Sequence, residues 1–211
     1  MRDLLESAGK RFARLATRAV VARPRLWRLF RGPLRAQFDR LAPVWHARVG
    51  PEALAALGAA LDRLEQPPRR ALDLGTGTGK AAVLVAERFP EAEVVGVDLA
   101  PGMVAEASRV LPSELAGRVT FEVADAAELP FEDGAFDLVV LLNMIPFFTE
   151  LRRVTAPGGT LVVSSGFGPA TPIWTPPETL RARLGPLGFG RFEELAVGPA
   201  TALWARKVDP G

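Results

Sequence analysis

The sequence predicts a doubly wound α/β fold, in which helices cover both faces of a largely parallel sheet. Three observations lead to this prediction. Short apolar runs alternate with helical stretches from residue 71 to residue 187, which is typical of parallel strands joined by crossover helices. The first apolar run ends in a glycine-rich loop, the usual place for a ligand in an open α/β sheet. The last two apolar runs are too close together for a crossover and therefore favour an antiparallel pair.

The individual elements follow from these patterns in chain order. A helix over residues 51–64 precedes the first strand. Strands are predicted at 71–74, 94–97, 119–124, 136–142 and 160–165, and the antiparallel pair at 192–197 and 202–207. Helices are predicted at 80–88, 101–111 and 177–187, with another helical stretch ending at 154 before a Pro-Gly-Gly turn at 157–159. These segments lie within a predicted domain that covers residues 51–211.

Residues 1–50 are predicted to form a basic helical leader that acts as a lid. Residues 1–70 carry 15 Lys and Arg against 6 Asp and Glu, a net charge of +9, whereas residues 71–211 carry 11 against 18, a net charge of −7. A helix is expected over residues 3–22, and breaks are expected at Pro24 and at Gly32-Pro33. The helix has one apolar stripe, formed by Leu5, Ala8, Phe12, Leu15, Ala16 and Ala19. This pattern favours peripheral contact with an anionic membrane over contact with nucleic acid, and a merely solvated basic face is the alternative.

The composition excludes several classes of protein. Of 211 residues, 48% are hydrophobic and 24% are charged, as in globular domains, and there is no cysteine. Disulfides, thiolate metal sites and thiol nucleophiles are therefore excluded, and no metal site is expected. The sequence has neither a spanning apolar stretch nor a secretory signal pattern, so a cytoplasmic protein is expected.

The glycine-rich loop follows Asp73 and places glycine at 75, 77 and 79. A phosphate-binding P-loop is disfavoured, because Leu74 stands where its first glycine belongs and Ala81 where its Ser or Thr belongs. A dinucleotide-binding fingerprint from Gly77 to Ala82 is weakened but stays open. The third interpretation is a loop for the amino-acid end of a ligand: an acid for its ammonium group and backbone N–H groups for its carboxylate.

Two further acids follow strands at the same edge of the sheet. Asp98 ends the second strand, where a carboxylate can accept hydrogen bonds from both hydroxyls of a ribose. Asp125 follows the third strand, where an acceptor can meet an adenine amino group. A single aspartate in such a place is commonly a helix cap. Together with Asp73 they make three acids at successive strand ends, and such a set indicates an adenosine ligand that carries an amino acid.

Together these motifs make residues 36 to 207 resemble a class I S-adenosylmethionine (SAM)-dependent methyltransferase of the ubiquinone/menaquinone-biosynthesis type. The matching stretches lie at 72–79, 94–99, 123–131, 136–143 and 151–163. The resemblance implies a Rossmann-like, seven-stranded sheet of order 3-2-1-4-5-7-6 with the seventh strand antiparallel, preceded by N-terminal helices. It also implies SAM as the cofactor.

The resemblance assigns cofactor-binding roles by position. Asp73, Gly75 and Gly77 would contact the methionine part, within a loop that Thr76 and Gly79 complete. Asp98 would bind the ribose, Asp125 and Ala126 the adenine edge, and Leu99 and Met103 the two faces of the adenine ring. Asn143 would lie near the reactive methyl group.

The leader contains a stretch, residues 38–46, that resembles the family's N-terminal segment over the cofactor, with Phe38, Trp45 and His46 in place of Tyr, Tyr and Asp. His46, the only histidine, and Asn143 are the weak candidates for a catalytic role. The predicted function is methyl transfer from SAM to a small, apolar acceptor. An RNA methyltransferase and a non-catalytic SAM-binding module are the alternatives, and the lack of an Asn-Pro-Pro-aromatic motif after the fourth strand counts against adenine-N6 methylation.

Overall fold

The computed structural model describes residues 2–208, with side chains from Ala8 onward, so the side chain of Leu5 and residues 209–211 lie outside the described part. Over residues 2–208 the fold contains seven α-helices and seven strands. The helices are α1 (Arg2–Ala22), α2 (Trp27–Arg48), α3 (Ala55–Leu61), α4 (Lys80–Arg88), α5 (Pro101–Val110), α6 (Phe148–Val154) and α7 (Pro177–Leu184). The strands are β1 (Arg70–Leu74), β2 (Glu93–Asp98), β3 (Val119–Val123), β4 (Phe136–Leu142), β5 (Thr155–Ser165), β6 (Phe189–Val197) and β7 (Ala200–Lys207).

The sheet has the order β3-β2-β1-β4-β5-β7-β6. The first five strands pair in parallel, and β7 is antiparallel to both β5 and β6. The predicted fold class and strand order are therefore confirmed. The short link between β6 and β7 leaves no room for a crossover helix, which is why the last strand runs the other way.

Helices cover both faces of the sheet, and each face has its own apolar core. On one face α3 and α4 contribute Leu57, Leu61 and Val85. On the other face α6 and α7 contribute Leu151 and Leu180, and the leader adds side chains from α1 and α2 to the same cluster. The central strands β1 and β4 are buried between these layers, consistent with their near-continuous runs of Leu, Val and Ala.

The leader differs from its prediction in two respects. Helix α2 runs through Gly32-Pro33 without a break, because Trp27 before the proline and Leu34 after it both pack into the same core, and this packing outweighs the helix-breaking tendency of proline. The inward face of α1 is formed by Ala13, Ala16, Thr17 and Val20. Leu15, which was placed on the apolar stripe, is 60% exposed.

The predicted turn at residues 157–159 was also wrong. This segment belongs to β5, which begins at Thr155 and pairs with β4 through a register shift between Phe136 and Leu138. The extra residues of the irregular pairing absorb the Pro-Gly-Gly sequence. Helix α7 ends at Leu184, and a short 3-10 turn covers the rest of the predicted helix. Within the described part of the chain, no helix combines the length and apolarity needed to cross a membrane.

Candidate cofactor-binding site

The loops that follow β1, β2 and β4 meet at the carboxyl edge of the sheet and surround a cleft, here called the edge cleft. Its two adjoining parts share Phe38, Gly75, Asp98, Met144 and Ile173 as lining residues. Phe38 comes from helix α2 of the leader, and the other four residues come from the domain. The leader therefore forms one wall of the site.

The glycine loop exposes bare backbone to the edge cleft. Gly75 and Gly77 have φ angles of 76° and 54°, in the left-handed region that glycine adopts without strain. A Cβ atom at Gly75 would lie 2.6 Å from Sδ of Met144, and one at Gly77 would lie 3.2 Å from Nε1 of Trp45. Neither position has room for a side chain unless its neighbours move.

Asp73 lies under this loop and is fully buried. Its Oδ2 accepts hydrogen bonds from the Thr76 hydroxyl at 2.6 Å and the Ala82 N–H at 2.9 Å. Its Oδ1 is buried without a hydrogen-bond partner in the described part of the chain. Burial raises the pKa of Asp73 to about 7, against the lowering effect of the two hydrogen bonds. An unpaired buried carboxylate oxygen next to an open loop suits a cationic ligand group.

Asp98 connects the glycine loop to the start of α5. Its Oδ2 accepts from the Gly77 N–H and its Oδ1 from the Ala100 N–H, both at 2.9 Å. Burial raises the pKa of Asp98, and the two backbone hydrogen bonds oppose this shift. Each carboxylate oxygen has a second lone pair, so the side chain can hold the loop and still accept from a ligand.

The predicted adenine-binding residues lie on both parts of the edge cleft. Leu99 and Ala126 line one part and Met103 the other. Asp125 is engaged with the leader: its Oδ1 accepts from Nε1–H of Trp27 at 2.8 Å and from the Ala127 N–H at 2.9 Å. Arg31 adds an ion pair to its Oδ2 at 3.6 Å. The contact between Trp27 and Asp125 could not be predicted from the sequence, because no local pattern relates two residues so distant along the chain.

Asn143 lies at the end of β4 with a φ angle of 55°, an uncommon conformation for a residue other than glycine. Its Oδ1 accepts from the Gly166 N–H at 2.9 Å, which ties the end of β4 to the segment after β5. Asn143 lines the edge cleft beside Met144. Its position is thus consistent with a place near the reactive methyl group, which stays a prediction.

His46 lies near Thr78 of the glycine loop and near the charged side chains of Lys80 and Glu106. Burial is the main cause that lowers its pKa, and the charge of Lys80 lowers it further. Among the described residues, the lining of the edge cleft includes Trp45 and Val49 but not His46. The structure does not bring His46 and Asn143 together.

Several residues that were not predicted to bind the cofactor also line the edge cleft, among them Thr78, Lys80 and Val49. The Lys80 ammonium donates a hydrogen bond to the carbonyl of Val49, and a second link joins leader and domain where Asp39 Oδ1 accepts from the Gly102 N–H at 2.8 Å. Gly79 instead faces Phe121 and Ala107, so it permits helix–strand packing rather than close approach of a ligand.

Comparison with known proteins shows that the chain is similar to methyltransferases. A methyltransferase-domain model matches residues 71–159. A demethylmenaquinone methyltransferase of Thermus thermophilus is 51% identical over 108 residues, which cover 47% of this chain and 48% of the relative. A ubiquinone/menaquinone biosynthesis C-methyltransferase of a Geobacter species is 36% identical over 115 residues, covering 50% and 48% of the two chains. The chain carries a class I SAM-dependent methyltransferase domain.

Solved structures agree on the fold of this methyltransferase domain. The putative methyltransferase in a complex with the Haloferax volcanii Trm112 activator superimposes with a TM-score of 0.65 at 18% identity, over 81% of this chain and 97% of that chain. A Haemonchus contortus phosphoethanolamine N-methyltransferase with bound SAM gives a TM-score of 0.60 at 21% identity, over 76% and 52% of the two chains. At these identities the likeness concerns the fold alone. The chain spans about half the length of the curated quinone-biosynthesis relatives it matches.

The residues of the edge cleft fit SAM, the cofactor of this family. The buried, unpaired Oδ1 of Asp73 matches the need of an amino group, and the glycine backbone matches a carboxylate that must approach closely. The apolar side chains of Leu99, Ala126 and Met103 suit an adenine ring.

Proposed function

We propose that the protein transfers the methyl group of SAM to a small, uncharged and largely apolar acceptor. The observation that carries the proposal is the combination, in one cleft, of the glycine loop, the unpaired oxygen of Asp73 and the carboxylate of Asp98. The relatives in quinone biosynthesis support a small-molecule acceptor.

The chain's part in the reaction is binding, orientation and exclusion of water. Asp73 would hold the amino group, the Gly75 and Gly77 backbone would allow close approach, and Asp98 would accept from the ribose. SAM itself supplies an activated methyl group on a sulfonium. Transfer of this methyl group to the acceptor would leave S-adenosylhomocysteine, with the electron pair of the broken carbon–sulfur bond on sulfur, and would release the acceptor's proton. Alignment of this kind contributes about 7–11 kcal/mol to lowering a barrier.

Phe38 and Trp45 would exclude water from the reacting groups. The two rings meet edge-to-face with centroids 5.5 Å apart, and both line the edge cleft. Because they belong to α2, the leader acts as a lid in this proposal. A water-free site strengthens the hydrogen bonds that orient the ligand.

Two measurements test the proposal. Calorimetry should show that SAM binds with micromolar affinity and that NAD and ATP do not compete. Methyl incorporation from labelled SAM into extracted metabolites, lipids and RNA then identifies the acceptor class. Label in RNA would favour an RNA methyltransferase, and SAM binding without label in any fraction would favour a non-catalytic module. Tight binding of NAD would overturn the proposal altogether.

We further propose that the leader docks the protein on an anionic membrane. Leu15 and Leu29 are 60% and 69% exposed, and Arg11, Arg18 and Arg28 around them are also exposed. The rings of Phe12 and Phe30 lie 5.8 Å apart, so α1 and α2 pack against each other where these residues occur. Exposed leucines among arginines are the pattern of an interfacial surface.

A further inference from the structure

The predicted adenine acceptor lies behind a side chain of the leader. Ala124 and Ala126, on either side of Asp125, line the edge cleft, and so does Trp27. Among the described residues that line either part of the edge cleft, Asp125 itself is absent. Because the Trp27 indole lines this space and also donates a hydrogen bond to Asp125, it covers the carboxylate on the cleft side.

The leader also uses the hydrogen-bonding capacity of this carboxylate. Oδ1 of Asp125 accepts from Nε1–H of Trp27 and from the Ala127 N–H, and these two donors fill its two lone pairs. Oδ2 lies 3.6 Å from Nη1 of Arg31. An adenine amino group is a neutral donor, which binds a carboxylate less strongly than a guanidinium does. Both oxygens are thus engaged, and the amino group would have to take the place of a leader contact.

The space beside Trp27 is narrow as well. The part of the edge cleft that Trp27 lines has a volume of about 40 Å³, whereas pockets that enclose a drug-sized ligand measure roughly 300–1,000 Å³. Trp27 is 6% exposed and packs edge-to-face on Phe147, with ring centroids 5.0 Å apart. Adenine therefore requires the indole to move, and not only to release its hydrogen bond.

Helix α2 has a weak point between the two parts of the leader that line the edge cleft. Trp27 and Arg31 precede Pro33, which lies inside the helix. Phe38 and Trp45 follow it. Proline has no N–H to donate to the carbonyl one turn earlier, and helices commonly bend at such a residue. This weak point would let the first part of α2 swing outward while the second part keeps its place over the cofactor.

We infer that Trp27 and Arg31 close the adenine part of the edge cleft, and that SAM binds by displacing them from Asp125. The inference rests on the proposed function, because it takes Asp125 as the adenine acceptor. The closed leader lowers the apparent affinity for SAM, since only molecules in which the first part of α2 has left Asp125 can bind it. The contact is autoinhibitory, and cofactor binding sets the position of the leader.

The test measures the affinity of the full chain for S-adenosylhomocysteine, which binds without turnover. Trp27→Phe keeps a ring against Phe147 and removes the donor to Asp125. Calorimetry should show S-adenosylhomocysteine binding about tenfold more tightly to this variant, the factor expected when a hydrogen bond to a carboxylate no longer holds the leader closed. Trp204→Phe is the matched control, because Trp204 is 4% exposed and its Nε1 has no hydrogen-bond partner in the described part of the chain. It should leave the affinity unchanged.

A second variant tests the ion pair. Arg31→Gln should raise the affinity for S-adenosylhomocysteine by about twofold, a smaller factor because a partly exposed ion pair stabilises the closed leader only weakly. Arg40→Gln is the control for the loss of one positive charge, since Arg40 is exposed on the same helix. It should leave the affinity unchanged.

A spectroscopic measurement follows the displacement directly. The indole N–H proton of Trp27 is identified among the signals of the four tryptophans as the one that Trp27→Phe lacks. A hydrogen bond to a carboxylate moves such a signal downfield in the NMR spectrum, so saturation with S-adenosylhomocysteine should move it upfield.

Weaker binding to Trp27→Phe would mean that Trp27 orients Asp125 for adenine, and that result overturns the inference. So does an unchanged affinity, with or without a lower Tm, which is the result expected of a purely structural Trp27. An indole signal that S-adenosylhomocysteine leaves in place overturns it as well. If S-adenosylhomocysteine binds neither the unchanged protein nor Trp27→Phe, the proposed function fails first, which separates the two failures.

Discussion

The glycine-loop region and the leader build the same cleft in different ways. Asp73 is held by residues three and nine positions away, Thr76 and Ala82. The leader's contacts are distant: Trp27 reaches Asp125 across 98 positions, and Asp39 reaches the Gly102 N–H across 63. The glycine-loop region is held by contacts between residues that are close in sequence. The leader's contacts can form only when distant parts of the chain have come together.

The same two regions differ in what the comparisons reach. The family model covers residues 71–159, which hold the glycine loop, Asp98 and Asn143. The leader and the segment after β5 lie outside that match. The matched part holds most of the predicted cofactor-binding residues, and we expect the acceptor and any surface partner to be recognised mainly by the parts outside that match. The four predictions below separate these contributions.

The largest effect is expected for Gly77→Val, which should weaken SAM binding at least about 100-fold. A β-branched side chain at a φ of 54° adds about 1–2 kcal/mol of strain and intrudes where the ligand meets backbone. Calorimetry measures the affinity, and circular dichroism checks that the sheet remains folded. Gly117→Val is the matched control, because a Cβ at Gly117 meets nothing within 4 Å. Unimpaired binding in Gly77→Val would show that the loop has been misassigned.

The second prediction concerns the leader as a docking surface. The double variant Arg11→Glu/Arg18→Glu should lower binding to anionic vesicles by about 30-fold or more, since each basic residue near such a surface contributes about 1 kcal/mol. The control reverses two exposed arginines outside the leader, Arg63 and Arg69. Pelleting with anionic vesicles, neutral vesicles and RNA measures the effect, and added salt should suppress it.

The outcomes of this experiment exclude one another. Loss of vesicle binding in the leader variant alone supports the membrane proposal. Equal loss in the control would mean that only net charge matters, and leader-dependent RNA binding would replace the membrane with nucleic acid. If neither surface retains the unchanged chain at low salt, the leader is only a lid.

The same contrast between local and distant contacts explains which features could be predicted from the sequence. Strand order and the glycine loop follow from alternation, spacing and family resemblance. The continuation of α2 through Pro33 did not, because the packing of Trp27 and Leu34 outweighs a local propensity. The occupation of Asp125 by Trp27 carries no sequence signal at all. The boundary at residue 50 and the roles of the site residues stay predictions.

A third prediction tests the ribose contact. Asp98→Ala should weaken SAM binding roughly tenfold, the size expected when a charged hydrogen-bond acceptor is lost. Asp137→Ala is the matched control, because the Oδ2 of Asp137 also accepts from two backbone N–H groups, those of Arg69 and Arg70, at 2.9 and 3.0 Å. Both variants lose hydrogen bonds from backbone N–H groups, but only Asp98 lies in the edge cleft. Equal SAM affinity in the Asp98 variant and the unchanged protein would remove Asp98 from the site.

The smallest effect on SAM binding concerns the protonation of Asp73, which also makes the stability of the fold depend on pH. Its pKa rises from 3.8 to about 7 on burial, so between about pH 4 and pH 7 the folded protein binds more protons than the unfolded chain. The free energy of unfolding should therefore fall as the pH rises through this window and level off above it. Asp73→Asn should remove this part of the pH dependence in thermal unfolding curves.

The same titration should appear in ligand binding with the opposite sign. A ligand ammonium favours the ionised carboxylate, so the affinity for SAM depends on the fraction of Asp73 that is deprotonated. That fraction increases about fivefold from pH 6 to pH 7 for a pKa of about 7. Calorimetry should show the affinity rising by about this factor, and measurements stop at pH 7 because an α-amino group loses its proton near pH 8. An affinity that does not change with pH, or the same rise in Asp73→Asn, would mean that Asp73 holds only the loop through Thr76 and Ala82.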